Sequence, residues 1–501
     1  MKKNLLFFAT LLLIVSCSKF EEPTIVPLTA DDVLAEETVS EYAVSVDDAL
    51  AALDIALKSI DGADTRSTDA RRVRSVKALK ARDVLPATRT EQIPDVEDMF
   101  YIVSFDEGEG SAVLGADTRL EGIYAILDET ELTPADFVAT ATRSDSGDGE
   151  MRYVATEEEL RQFVTSCITS AAYRDLTTPK EDSVVLTQYQ DSTLVRVVDL
   201  ESGEVLYSDP TATRVEIIKP IISGLPREET FVYGVMQQSP LLTTKWAQSP
   251  SPYNDLFPLK SDGKPYPAGC TTIATAQILF HHRNGTNITI GNNSYNWSLM
   301  EQFVYGFPAY SVTEIAKAEL SRWLYDLAEY MNPTYTPSGT GISISEAANV
   351  FSEQGYLDVE ERDYSSVVSY PSNTYVIIRN KIYTHDLPIL LSGYSLPDAE
   401  NKIYGHTWVA DGCNYYETRT YTRWYTPAGF VIKEELKSCV YTQLLHCNMG
   451  WGGDNDGYYT YNLFETTTPL DPEYVDTSVG DQIDVGPRDY EQYFSYILYS
   501  L

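Results

Sequence analysis

One apolar stretch, residues 266–285, constrains the fold of the second half of the chain more than any other. Pro267 and Gly269 break any preceding structure, a helical pattern opens at Cys270, and Asn284 followed by a glycine ends it. The pattern predicts a buried helix with a cysteine in its first turn. Free backbone N–H groups and the helix dipole favour a thiolate at that position. The alternative is a small buried cysteine that only packs at a helix start.

Length and charge limit the class of protein. A chain of 501 residues is long enough for more than one domain, and a hydrophobic fraction of 43% is that of a globular chain with a core. The formal net charge of −37 argues against a nucleic-acid partner, because such proteins present a basic face. We therefore expect an acidic globular protein that does not bind nucleic acid.

The first residues have the pattern of an export signal. A short cationic start precedes residues 5–15, which are apolar but too short to span a membrane as a mature helix. The run that ends at Cys17 resembles a bacterial lipobox. By that resemblance residues 1–17 are a lipoprotein signal peptide and Cys17 is lipidated; an ordinary cleaved signal is the alternative. The acidic residues 18–40 resemble the tether of Bacteroidetes-type surface lipoproteins, so membrane attachment would rest on the lipid alone.

Export would place the other cysteines in an oxidising compartment. The chain has five cysteines after Cys17, an odd number, so at least one thiol stays free if the others pair within the chain. The spacing of these cysteines does not fix which of them pair. A zinc site from the last three cysteines and His446 would have poor ligand spacing, so we expect no metal. The five are Cys167, Cys270, Cys413, Cys439 and Cys447.

Residues 41–175 have the pattern of a small α+β unit. Helices are predicted over 44–60 and 157–169, and short strands over 99–105, 111–116 and 122–127. Turn residues separate the strands, so a curled antiparallel sheet is expected.

Two polar stretches are predicted to be linkers. Residues 61–93 contain the only basic run of the acidic chain, which is typical of a solvated segment open to proteolysis. Residues 176–229 are polar and rich in turn residues, so we expect a connection that contains a processing site.

Residues 230–501 change from helices to strands along the chain. Helices are predicted over 312–331, 344–354 and 373–385, with a mobile loop at 334–341, and strands over 389–391, 406–411, 420–425, 440–448, 457–462 and 493–499. Helices followed by an antiparallel sheet predict an α+β layout of two lobes with a cleft between them.

Four residue types in this half meet the needs of thiol acyl transfer. Cys270 is the candidate nucleophile, and His406, at the head of an apolar strand, is the candidate base. Asn448 is the candidate for orienting the imidazole. Gln248 would donate its side-chain N–H to the developing oxyanion, together with the backbone N–H of Cys270. Taken singly, His406 is equally a core histidine and Asn448 a turn residue.

The motifs around these residues resemble the streptopain family of papain-fold cysteine peptidases. They are Trp-Ala-Gln at 246–248, Gly-Cys-Thr-Thr-Ile-Ala-Thr-Ala-Gln-Ile at 269–278, Gly-His at 405–406 and Asn-Met-Gly-Trp-Gly-Gly at 448–453. The resemblance implies a helical left lobe that carries Gln248 and Cys270, facing an antiparallel β right lobe that carries His406 and Asn448. It also implies that Gly405, Met449 and Trp451 line the substrate cleft.

The same resemblance implies a domain order. Residues 230–501 would be the peptidase domain, and residues 41–175 a small α+β pro-domain that folds apart, blocks the site and is removed by proteolysis. One residue departs from the family pattern, because Met449 stands where a tryptophan usually covers the Asn–His hydrogen bond. Methionine can pack there and exclude water, so we expect an impaired or retuned triad rather than none.

The sequence therefore predicts a secreted, lipid-anchored cysteine endopeptidase made as a zymogen. Its expected partners are protein or peptide substrates and its own pro-domain, and it is expected to be a monomer without a cofactor. It would lie on the outer membrane or cell surface, or be released after processing. Two alternatives remain, a catalytically impaired surface binding protein on the same fold, which Met449 motivates, and a cell-wall amidase of the same broad thiol fold.

Overall fold

The computed structural model describes residues 40, 42–61, 71–85, 90–106, 108–141, 150–177, 197–198, 205–207, 226–284, 288–304, 312–337, 339–363, 374–395, 402–425, 430–464 and 494–501. Ser40–Leu501 form one compact unit. The predicted export signal, Cys17 and nearly all of the predicted tether lie outside the described residues, as does most of the 176–229 connection. Within the described ranges no helix combines the length and apolarity needed to cross a membrane.

Helices and strands are mixed in the first half of the chain, and strands dominate its end. The α-helices are α1 (Val46–Ile60), α2 (Ala81–Val84), α3 (Pro134–Ala141), α4 (Glu157–Thr177), α5 (Cys270–His282), α6 (Trp297–Met300), α7 (Glu314–Tyr330), α8 (Ile344–Glu353) and α9 (Thr374–His385), with a 3-10 turn at Glu301–Phe303. The strands are β1 (Val73–Lys80), β2 (Asp98–Phe105), β3 (Ser111–Gly115), β4 (Ile123–Leu127), β5 (Glu150–Tyr153), β6 (Val197–Val198), β7 (Val205–Tyr207), β8 (Arg227–Gln238), β9 (Thr334–Thr336), β10 (Gly339–Gly341), β11 (Leu357–Asp363), β12 (Ile389–Tyr394), β13 (Lys402–Tyr425), β14 (Val431–Asn448), β15 (Gly457–Thr460) and β16 (Phe494–Ser500).

One sheet runs through both halves of the chain. Among the described strands, twelve belong to it, in the order β1-β2-β3-β4-β15-β14-β13-β12-β16-β11, with β5 and β8 also paired to β13. Strand β4 pairs antiparallel with β15, where Ile126 lies opposite Tyr458. The mixture of helix and sheet agrees with the predicted α+β class. Residues 41–175 do not fold apart, however, because their strands continue the sheet of the second half.

Helix α1 covers the outer face of the N-terminal strands. The side chain of Ser45 caps it by accepting a hydrogen bond from the backbone N–H of Asp48. Its apolar face, which includes Leu53 and Ala56, packs with Val103 and Leu114 of the sheet in a cluster of its own. The amphipathic spacing therefore fixes which side of α1 is buried.

Helix α5 begins at Cys270, as predicted, and its side chains are buried almost throughout. Gly269 precedes it with φ 92°, in the left-handed region that favours glycine. A Cβ at that position would lie 3.1 Å from the carbonyl oxygen of Thr340. The glycine thus lets the chain turn sharply into a helix that starts deep inside the molecule.

Strands β13 and β14 form a long hairpin that carries the second group of candidate site residues. His406 lies near the start of β13 and Asn448 at the end of β14, where Asn448 is paired with Val409. The sequence predicts two separate strands over 406–411 and 420–425. The structure has one, because residues 412–419 continue the pairing with β14 through an irregularity next to Gly412.

Several other elements differ from the sequence prediction, among them β8, β11 and α3, which it lacks. Strand β1 lies in the predicted linker 61–93, and the predicted loop at 334–341 is the β9–β10 hairpin. Strand β5 is not predicted at all. Strand β1 leaves most of its side chains exposed or partly exposed, which explains why its sequence is as polar as that of a linker.

Candidate functional site

Cys270 and His406 line the same cavity, which has a volume of about 440 Å³. Cys270 comes from the first turn of α5, and His406 comes from β13 on the other wall. Gly405 and Thr407 flank the histidine in the lining, and Tyr153 approaches from β5. The structure therefore brings the predicted nucleophile and the predicted base together.

The thiol of Cys270 is buried and in its neutral form. Burial raises its pKa, and hydrogen bonds from the backbone and hydroxyl of Thr407 and from Thr271 offset only part of that effect. Removing a thiolate from water is unfavourable unless a nearby positive charge compensates. The helix terminus alone is thus insufficient to ionise this cysteine here.

The imidazole of His406 has a defined tautomer. Its Nε2 lies 3.0 Å from the carbonyl oxygen of Met449, and since a carbonyl only accepts, Nε2 carries the proton. Nδ1 is buried and has no hydrogen-bond partner among the described residues, so it is left as the basic nitrogen. Burial lowers the pKa of His406 to about 3, so the ring is neutral. Phe163 and Trp408 pack against it with ring centroids 5.5 and 5.9 Å away.

Among the described residues Asn448 makes no hydrogen bond to His406, so the orienting role predicted for its side chain has no direct hydrogen bond behind it. Its Oδ1 accepts hydrogen bonds from Gln277 Nε2 at 3.0 Å and from the backbone N–H of Gly450 at 3.1 Å. Its Nδ2 donates to the carbonyl of Thr244 at 2.9 Å. With these partners taken, the group that meets the imidazole is the backbone carbonyl of the next residue.

Gln248 is not among the residues that line the cavity, and its amide already donates a hydrogen bond. Its Nε2 donates to the carbonyl oxygen of Val154 at 3.3 Å, and its side chain is buried. The N–H of Val154 donates to the carbonyl of Gly405 at 3.0 Å. The backbone of Val154 therefore lies between Gln248 and the residue that precedes His406.

Strand β5, which leads to Val154, runs parallel to β13. Tyr153 is paired with Gly405 in that register. The ring of Tyr153 lies over Gly341, where a Cβ would come within 2.1 Å of the ring, so only glycine leaves room for it. A segment from residues 41–175 thus occupies one end of the cavity.

The other cleft residues predicted from the sequence have a different environment. Met449 and Trp451 are both buried, and neither lines this cavity, whereas Gly405 does. Trp451 instead forms a β-bridge with Ala247, next to Gln248. The expectation that Met449 and Trp451 line the cleft is not met by this cavity.

Four neighbours of the site were not predicted from the sequence. Phe163, Tyr153 and Val154 carry no signal for it, because they reach the site only through tertiary packing. Gln277 had a signal, since it is the one amide in the helix that begins at Cys270, among residues that are otherwise apolar or hydroxyl-bearing as far as Phe280. A buried amide on such a helix requires polar partners.

These residues are of the types that thiol acyl transfer uses: a cysteine at a helix start, a histidine with a free nitrogen in the same cavity, and a glutamine whose amide is held by Val154, the neighbour of the lining residue Tyr153. Residues 246–459 match the model of the Peptidase C10 family, so the resemblance to the streptopain family is confirmed over this part of the chain. No curated protein matches the sequence.

Among solved structures, a mutant fragment of prointerpain A from Prevotella intermedia is similar to this chain. The two share 16% sequence identity with a TM-score of 0.44, over 85% of this chain and 98% of that one.

Proposed function

We propose that this chain is a cysteine endopeptidase held in a latent form, with Cys270 as nucleophile and His406 as base. The observation that carries the proposal is that these two side chains line one cavity within the residues that match the Peptidase C10 family. A papain-like pair of lobes, with α5 in the helical one and β13–β14 in the other, is part of the proposal.

The geometry suits a thiol mechanism in which His406 uses Nδ1. The thiol proton of Cys270 passes to Nδ1, and the sulfur attacks the substrate carbonyl. The oxyanion is then stabilised by Gln248 Nε2 and the backbone N–H of Cys270. His406 returns the proton to the leaving amine, and water hydrolyses the thioester by the same route. The hydrogen bond from the Nε2–H of His406 to the carbonyl oxygen of Met449 is kept throughout the reaction.

Latency follows from the contacts of residues 41–175 with the site. The Val154 carbonyl accepts one of the two N–H groups of Gln248 Nε2, so it competes with a substrate carbonyl for that donor. Phe163 packs on the imidazole of His406 and helps to keep it dry. Burial then favours a neutral thiol and a neutral imidazole over the ion pair. We propose that residues 41–175 are the intramolecular inhibitor and that cleavage within 176–229 releases them.

Export and lipid anchoring through Cys17 belong to the same proposal. They rest on the resemblance of residues 13–17 to a lipobox and of residues 18–40 to a tether. Processing would then release the peptidase domain, residues 230–501, from the anchored part of the chain.

Alkylation of the full-length and the processed chain tests the function. Iodoacetamide should label Cys270 only after a cut within 176–229, as located by mass spectrometry under reducing conditions. Cys439 is exposed and serves as an internal control that reacts in both forms. Equal labelling of Cys270 before and after the cut would contradict the latent form.

Casein hydrolysis by the processed chain tests the two catalytic assignments. Cys270→Ala and His406→Ala should each abolish hydrolysis. Cys270→Ala should leave the melting temperature nearly unchanged, whereas His406→Ala also removes a buried ring that packs on Phe163 and Trp408 and should lower it. A processed wild-type chain that hydrolyses no casein would instead favour the surface binding protein, and digestion of muropeptides would favour the amidase.

A further inference from the structure

His406 is held by one peptide group. The carbonyl that accepts its Nε2–H belongs to the Met449–Gly450 peptide, and the N–H of that same peptide donates to Asn448 Oδ1. Both polar ends of the peptide are therefore fixed. A peptide whose N–H is donated is also a better acceptor at its carbonyl, because hydrogen bonds in a chain polarise one another.

Asn448 in turn is held by Gln277. The Nε2 of Gln277 donates to Asn448 Oδ1 at 3.0 Å, and its Oε1 accepts from the hydroxyl of Thr244 at 2.8 Å and from the backbone N–H of Trp246 at 3.4 Å. Both side chains are buried, and each amide makes hydrogen bonds through its oxygen and through one N–H of its nitrogen. Loss of one donor here would leave buried polar atoms unpaired.

Gln277 lies two turns after Cys270 on the same helix, about 10 Å along the axis at 1.5 Å per residue. The segment that it holds through Thr244 and Trp246 leads directly to Gln248. One side chain therefore connects the helix of the nucleophile, the approach to the oxyanion donor and the peptide that holds the base.

A close approach of the backbone supports the same connection. Gly450 has φ 70°, and a Cβ there would lie 3.1 Å from Ile273 of α5. The turn after Asn448 is thus pressed against the helix that bears Gln277. Glycine permits both the left-handed backbone and the short distance.

We propose that Gln277 is a positioning residue of the thiol site, which orients His406 through Asn448 and the Met449–Gly450 peptide. The inference rests on the proposed function of Cys270 and His406. It assigns Asn448 an indirect role, in place of the direct contact with the imidazole predicted from the sequence.

Two substitutions separate positioning from packing. Gln277→Glu keeps the acceptor for Thr244 and Trp246 but loses the donor to Asn448 when the introduced carboxyl ionises. Gln277→Met has a similar volume and loses both functions. The matched control is Thr275→Val on the same helix, because the buried hydroxyl of Thr275 has no hydrogen-bond partner among the described residues.

Kinetics of the processed chain should show an effect on kcat. We expect Gln277→Met to lower kcat by about 10–100-fold with KM changed less than about 3-fold, since a base misplaced by about 1 Å loses about 100-fold in rate. Gln277→Glu should gain an extra limb in its pH profile, with kcat recovering on the acid side where the introduced carboxyl can again donate. Thr275→Val should match the wild type, with rates normalised to Cys270 titrated by alkylation.

The outcomes distinguish this inference from the function on which it rests. Wild-type kcat and an unaltered pH profile in both Gln277 variants would overturn the positioning role while leaving the peptidase intact. A second readout needs no activity: in full-length Cys270→Ala chain with ¹⁵N-labelled histidine, the Nε2–H of His406 should exchange faster with solvent when Gln277→Met is added. Unchanged exchange would also count against the inference.

Discussion

At the scale of single residues, the backbone carbonyl of Met449 accepts the hydrogen bond from His406 that the sequence predicts for the side chain of Asn448. The imidazole of His406 meets a carbonyl oxygen, and every residue type supplies one. The side chain of Met449 is fully buried, so it excludes water from that hydrogen bond without taking part in it. A methionine where the family usually has tryptophan is therefore compatible with an oriented histidine.

The carboxyl group of Asp456 accepts a hydrogen bond from the backbone N–H of Met449, and its ionisation makes the stability of the protein depend on pH. Its Oδ1 accepts from the N–H of Met449 at 2.7 Å. Burial raises the pKa of Asp456 to about 7, although the Met449 N–H and His446 oppose the shift. An unfolded aspartate titrates near 3.9, so the native state binds more protons between about pH 4 and 7. The free energy of unfolding therefore falls as pH rises through that window, by about 4 kcal/mol for this group.

We predict that Asp456→Asn removes this part of the pH dependence. The amide keeps an acceptor oxygen for Met449 and cannot ionise, so the variant should be more stable than wild type at pH 8, by up to about 4 kcal/mol. At pH 4 the difference should nearly vanish. Urea unfolding of the full-length chain at both values measures it, and an equal difference at the two pH values would count against the assignment.

Residue types and local pattern were enough to select two residues, Cys270 and His406, that line one cavity and that we propose as nucleophile and base. Cys270 is marked by the glycine and helix start around it, and His406 by its place at the head of an apolar strand. The partner of His406 had no such signal, because a backbone carbonyl is present at every position. For the same reason the sequence could suggest Asn448 but could not show that its amide is taken by Gln277 and Gly450.

At the scale of elements, strand β5 and helix α4 cover the site from the N-terminal half. Helix α4 is predicted from its sequence, though it continues to Thr177 rather than ending at 169. Strand β5 has only four residues, and its partner β13 lies about 250 positions further along the chain. Short strands with such distant partners leave no periodic pattern, since pairing is decided by the rest of the fold.

Substitution of Val154 tests whether β5 blocks the site. Val154→Pro removes the N–H that donates to Gly405, whereas Val154→Ala keeps it. In the full-length chain we expect iodoacetamide to alkylate Cys270 of the proline variant at least about 10-fold faster than that of the wild type. Loss of one buried hydrogen bond, about 1.5 kcal/mol, raises by about that factor the population in which β5 has left the site. The alanine variant should stay closer to wild type, since it keeps the hydrogen bond and only shortens the side chain.

The comparison needs Cys439→Ser in every chain, so that the exposed thiol does not contribute to the rate. Equal rates for the proline and alanine variants would mean that the hydrogen bond to Gly405 does not hold the segment in place. The Gln248 contact with Val154 would then be incidental to latency.

At the scale of the whole molecule, a buried histidine joins the two halves of the shared sheet. His446 on β14 holds Asp411 of β13 through Nδ1 at 2.6 Å, and Asp128, which follows β4, through Nε2 at 3.3 Å. Arg71 holds the other oxygen of Asp128 at 3.2 Å. Burial alone would lower the pKa of His446, but the two carboxylates outweigh it and raise the pKa to about 10. An imidazolium therefore lies between the proposed pro-domain and the proposed peptidase domain.

The pH dependence of the full-length chain tests that junction. The folded pKa of His446 exceeds its unfolded value near 6.5, so its contribution is complete below pH 6.5 and is lost as pH rises toward 10, on the order of 5 kcal/mol in all. Asp128→Asn removes one of the two carboxylates, so the loss should be smaller and should end at a lower pH. Asp54→Asn, at an exposed position of α1, is the control and should follow the wild type. The processed chain lacks Asp128 and should behave like Asp128→Asn. If urea midpoints between pH 6.5 and 10 fall equally in all four proteins, His446 does not join the halves through its charge.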